Sequence, residues 1–173
     1  MPSYPGLLAL IAISLAAPMA CAQAGGPQPD TPAVTFDGVT FIHRWSQSGQ
    51  HEFTPGGQED MEAWTDMVTV NVHESVTDGD ELAATANGVL TNYEGAGRII
   101  RTDSRPRTDA APAEHLVAAV LGSRTFLEAA FARVMLVDGA GIVLVYSHRV
   151  YGEAAGDSMS AWLEPTARGW RTR

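Results

Sequence analysis

Residues 130–150 (AFARVMLVDGAGIVLVYSHRV) form two apolar, alternating runs on either side of Asp138-Gly139. A side-chain period of two is that of a β-strand, and Asp-Gly suits the tight turn of a hairpin. Ile142, Leu144, Tyr146, His148 and Val150 then face one way, and Val143, Val145, Ser147 and Arg149 the other. Because both sets are largely apolar, these strands belong in the middle of a sheet or under a covering layer.

The rest of the chain reads around this hairpin. In residues 39–45 (VTFIHRW), Val39, Phe41, His43 and Trp45 fall on one side of a strand, and Thr40, Ile42 and Arg44 on the other. Ser48-Gly49 is a turn and residues 50–54 the return strand. Pro55-Gly56-Gly57 breaks the pattern, and residues 58–67 are expected to form a short helix with Met61 and Trp64 on one face. Val68, Val70 and Val72 alternate with Thr69, Asn71 and His73 as in a half-buried strand. Asp78 and Glu81 form a capping-box-like start for a helix carrying Leu82, Ala86, Val89, Leu90 and Tyr93, which stops at Gly95-Ala96-Gly97. A short strand over residues 98–102, a polar loop over 103–113 and a strand over 115–121 follow. Asp157 or Ser158 caps a last short helix with Met159, Trp162 and Leu163, ended by Pro165.

With 173 residues, 45% hydrophobic and 18% charged, the chain has the length and composition of one globular domain. Helices with one apolar face, set among strands joined mainly as hairpins, predict an α+β domain: an antiparallel β-sheet with two or three helices packed on it, over residues 34–164. Residues 165–173 are expected to be a loose tail.

The first 24 residues contain no Asp, Glu, Lys or Arg, and residues 7–17 (LLALIAISLAA) are an apolar run. A run of about eleven residues matches a signal-peptide core and is too short to span a bilayer, which takes about 20. Ala20-Cys21-Ala22 and Ala22-Gln23-Ala24 are both A-x-A cleavage sites, so residues 1–24 read as a signal peptide and residues 25–33 as a flexible lead-in. The mature chain is therefore expected to be periplasmic or secreted, with no integral membrane span. Cys21 is the sole cysteine. Its position suggests, as the alternative, a lipid anchor at Cys21, but Pro18 stands where a lipoprotein box wants an aliphatic residue.

The element order around VTVNVHESV, GRIIRTDS, AAFARVMLVDGAGIVLVYSHRVYG and SMSAWL resembles the PsbP-like or Mog1-like superfamily over residues 34–163. The resemblance implies an accessory, assembly or adaptor role without cofactor chemistry, and it assigns no functional residue.

Charge narrows the partner class. There is no lysine, and 20 acidic residues against 11 arginines give a net charge of −9, which disfavours nucleic acid. Ten acidic residues and no arginine lie in residues 50–97, after which Arg98, Arg101, Arg105 and Arg107 come in close succession. The split suggests a bipolar surface for an envelope protein partner, with Trp64 and Phe53 joining it if the fold brings them near. The five histidines lack zinc spacing, although His43 and His51 on one hairpin could approach each other. Ser147 and His148 point to opposite faces, no G-x-S-x-G or phosphate loop is present, and Asp78-Gly79-Asp80-Glu81 suits a helix cap rather than a calcium loop. No catalytic residue, metal or cofactor is expected. The first reading is an exported, non-enzymatic binding protein; the alternative is a binder of a small or lipid-like ligand in a cleft between sheet and helices, lined by Trp45, Trp64, Trp162 or Tyr146, and a third is an enzyme whose carboxylates and histidine come together only in space.

Overall fold

The computed structural model describes residues 32–109 and 111–169. The expected signal peptide, the lipid-anchor candidate Cys21, most of the lead-in and residues 170–173 lie outside them. In chain order the elements are β1 (Ala33–Phe36), β2 (Val39–Gln47), β3 (Gln50–Pro55), β4 (Asp66–His73), α1 (Gly79–Ala96), β5 (Gly97–Arg105), β6 (Glu114–Gly122), β7 (Phe126–Val137), β8 (Ala140–Tyr151) and α2 (Ala155–Gly169). The strands form one antiparallel sheet in the order β1-β2-β3-β4-β8-β7-β6-β5. The domain is α+β, as expected.

The β7–β8 hairpin sits in the middle of the sheet and turns at Asp138 (φ 51°) and Gly139 (φ 83°). Two left-handed residues in succession give a turn whose twist matches that of the strands. Ser48-Gly49 repeats the geometry between β2 and β3, and Asp37-Gly38 between β1 and β2. The last of these makes β1, which the alternation pattern had not marked as a strand.

Each helix covers a different face of the sheet. Asp78 caps α1, its side chain accepting from the N–H groups of Asp80 and Glu81, while the Glu81 carboxylate reaches back to the Thr77 N–H. Leu82, Ala86 and Tyr93 of α1 pack on Val117, Ala119, Ala130, Ala132, Val134 and Val143. On the other face, Met159 of α2 packs with Ala118, Ala129 and Phe131, flanked by Trp162 and Leu163. Alanines on β6 and β7 leave room for both helices to come close to the backbone.

Four local expectations change. Residues 58–65 are a turn-containing connection and not a helix, because the Gln58 side-chain oxygen takes the N–H groups of both Thr65 and Asp66 and draws the segment into a closed loop. The β2–β3 register shifts between His43 and Trp45, so Trp45 faces opposite Glu52 and lies on the other side from Phe41 and His43. β5 runs on to Arg105, which shortens the following loop. Finally, α2 passes Pro165 and ends at Gly169; a proline removes one backbone donor, and one missing bond near a helix end does not stop the last turn.

Candidate functional site

Sheet curvature builds the site. Phe36 on β1 and Tyr146 on β8 are four strand positions apart, which in a flat sheet means about 19 Å. Their rings instead stack with centroids 4.9 Å apart, and Phe41 meets the edge of Tyr146 at 6.3 Å. The β1–β2 hairpin has thus curled over the α2 face, burying Phe41, Phe53 and Val68 beneath it. Trp162 of α2 closes the opposite side, 6.3 Å from Tyr146.

Between hairpin and helix lies a depression of about 270 Å³ lined by Phe36, Phe41, Tyr146 and Trp162, with the carboxylates of Asp37 and Asp66 and no basic side chain in the lining. Val39, 46% exposed, forms its rim. Asp66 is at the first position of β4, directly opposite His148 on β8. Its Oδ1 accepts from the Tyr146 hydroxyl at 2.8 Å and lies 2.9 Å from His148 Nδ1, while Oδ2 accepts from Thr65 Oγ1 at 3.0 Å and the Gln58 amide at 3.4 Å. Partial burial alone would raise the Asp66 carboxyl, but the hydrogen bonds from His148, Tyr146 and Thr65 outweigh it and hold the pKa at about 2. Burial, and then the bond to Asp66, push the Tyr146 phenol above its ordinary value. The depression therefore carries a fixed negative charge under aromatic walls at neutral pH.

The residues singled out in the sequence do not meet in one surface. Phe53 is buried in the core of the curled face, opposite Val68, with its ring against His43. Trp64 is 4% exposed and lies under the Arg149 guanidinium, 3.8 Å from its ring, with its carbonyl accepting from the Tyr151 hydroxyl. Arg149 in turn bonds Glu128, which also accepts from Ser147 Oγ, so both side chains are tied into a structural network. The arginines sit at the far edge strand: a register shift between Ile99 and Arg101 places Arg98 and Arg101 on the same face, Arg101 pairs with Asp103, Arg105 ends the strand, and Arg107 follows in an exposed loop. Ser147 and His148 do point to opposite faces, one to Glu128 and the other to Asp66.

His43 and His51 do approach, through Ser46: its hydroxyl lies 2.5 Å from His43 Nε2 and 2.7 Å from His51 Nδ1. Among the described residues no group of three or more His, Cys, Asp or Glu is placed to hold a metal. Of the depression, the sequence had marked Trp162 and Tyr146 as cleft candidates and missed Phe36, Asp37 and Asp66. The signal for Asp37 was its Asp-Gly turn; Asp66 needed the β4–β8 pairing.

No protein-family profile matches the chain, and no curated protein matches it. Among solved structures it is similar to the Ran-binding protein Mog1p of Saccharomyces cerevisiae, with 14% identity over 76% of this chain and 83% of that chain and a TM-score of 0.43.

Proposed function

We propose that this chain is an exported envelope protein that binds a protein partner, and that the aromatic depression on the α2 face receives one projecting side chain of that partner. The size of the depression carries this reading. At about 270 Å³ it stands at the lower edge of the range of about 300–1,000 Å³ usual for small-molecule pockets. It suits a single anchor of the kind that dominates protein interfaces, where one side chain fills a pocket rimmed by weaker contacts. The apolar segment with its A-x-A sites supports export. No helix among the described residues is long and apolar enough to cross a membrane.

Two measurements in the native host test this. A photo-crosslinking amino acid placed at Val39, on the rim, should trap a discrete partner, and the adduct should disappear in the Trp162→Ala variant. The same probe at Val137, equally exposed at the end of β7, should not trap it. Equal labelling from both positions, or none from Val39, overturns the binding site. Intact mass of the envelope-fraction protein should begin at Gln23 or Gly25. A mass retaining Cys21 with acyl groups would indicate a lipid anchor instead, and the unprocessed mass in the cytosol would refute export.

A further inference from the structure

We infer that the depression selects an organic cation, an alkylammonium or guanidinium head, an inference that rests on the depression being a recognition site. Four aromatic side chains line it, and aromatic rings attract a cation within about 6 Å of their centroids. Asp37 and Asp66 in the lining add negative charge, and the lining offers no basic group to hold an anion. A neutral apolar group would gain the contact area but none of the electrostatics.

The hydrogen bonding of Asp66 specifies which cation. An ionised carboxylate offers about four acceptor sites, and here Tyr146, His148, Thr65 and Gln58 already address both oxygens. A hard metal ion, which needs vacant oxygen ligands, would have to strip these partners away. A soft, weakly hydrated cation needs no direct ligand: it can rest on the rings and feel the carboxylate charge a few ångströms off. His148 is the titratable base touching Asp66, and its own positive charge, when protonated, would weaken the attraction.

The test uses matched pairs at one fixed pH of about 8. Choline is compared with its uncharged carbon isostere, and acetyl-lysine methylamide with acetyl-norleucine methylamide, by following the Trp162 indole N–H in NMR titrations of the full folded chain. The charged member of at least one pair should bind about tenfold more tightly than its neutral counterpart. That ratio should drop about threefold in Asp37→Asn. Asp37 is on the exposed hairpin tip at φ 48°, a conformation that asparagine also accepts, so this variant removes a charge without disturbing the hydrogen bonds that Asp66 holds.

A preference for the lysine derivative over choline assigns the cation to a protein side chain, and the reverse assigns it to a quaternary amine; both uphold the cation site. Equal binding within each pair, or a ratio untouched by Asp37→Asn, overturns it. Cation selectivity without a Val39 cross-link would leave this inference standing and remove the partner reading. A Val39 cross-link that saturating cation fails to reduce, with no charge preference, would do the opposite.

Discussion

His148 lies flat on Trp162, with ring centroids 4.2 Å apart and planes 5° from parallel, while its Nδ1 sits 2.9 Å from Asp66 Oδ1. One side chain thereby joins α2 to the sheet and orients the carboxylate of the depression. Trp162→Ala should destabilise the domain by about 2–3 kcal/mol, at or below the low end of the range for a core tryptophan because the residue is only half-buried. In a double-mutant cycle with His148→Ala, the pair should show a coupling of about 0.5–1.5 kcal/mol in urea unfolding. Additive single effects would mean that the stack contributes nothing to docking α2.

Acid should unfold the protein partly through Asp66. The carboxyl titrates at about 2 in the folded chain and at an ordinary 3.8 when unfolded. A depressed folded value means that this stability is fully present above about pH 4 and is lost as the pH falls through about 2. Because water still reaches the group, its contribution at neutral pH is about 1–2 kcal/mol rather than the full value of the shift. Asp66→Asn should therefore lower stability at pH 7 by that amount and converge with the parent near pH 2. A constant difference across the acid limb would show that the carboxylate charge is not what the hydrogen bonds hold.

How far the chain could be read without coordinates follows from the range of each interaction. The β7–β8 hairpin and the capped helix α1 were legible because alternation, the Asp-Gly turn and the Asp78–Glu81 cap are all local. Residues 58–65 were misread because Gln58 closes that segment with one side chain against two backbone donors, an arrangement with no period. Trp45 was placed on the wrong face by an extra residue at a β-bulge, which alternation cannot count. The depression depends on β1 curling across to β8, a contact between residues 110 positions apart in the chain, as Phe36 on Tyr146 shows. The arginine cluster was visible as charge, yet its separation from Phe53 and Trp64 is a matter of strand order.

The face opposite the depression offers a test of the sheet itself. Val145 is on β8 opposite Thr69 and Ala132 and packs against the cluster beneath α1. Val145→Asp would bring an unpaired carboxylate into that layer and should cost about 3 kcal/mol or more. Val137→Asp, at a 44% exposed position on the neighbouring strand, should change stability by less than about 0.5 kcal/mol. Matching thermal unfolding curves for the two variants would contradict the central position of β8.

The passage from α1 into β5 takes no loop at all, and Gly97 makes that passage. It is both the cap of the helix, its N–H donating to the Tyr93 carbonyl, and the first residue of the strand. Its φ of −178° is extended backbone that any residue adopts, so conformational freedom is not the reason for glycine. Space is: a Cβ here would lie 2.1 Å from the Val120 carbonyl oxygen and 2.7 Å from the Leu121 Cα. Both are backbone atoms of β6, held on the other side by β7, and neither can swing away as a side-chain tip could. Gly97→Ala should therefore force β5 off its neighbour and destabilise the domain by about 2–3 kcal/mol. Gly88 provides the contrast, since it lies inside α1 with nothing within 4 Å of an added Cβ. There the same substitution should stabilise by about 0.5–1 kcal/mol, from helix propensity alone. Urea midpoints of the two variants should move in opposite directions from the parent, and a Gly97→Ala midpoint equal to the parent's would show that β5 is free to shift.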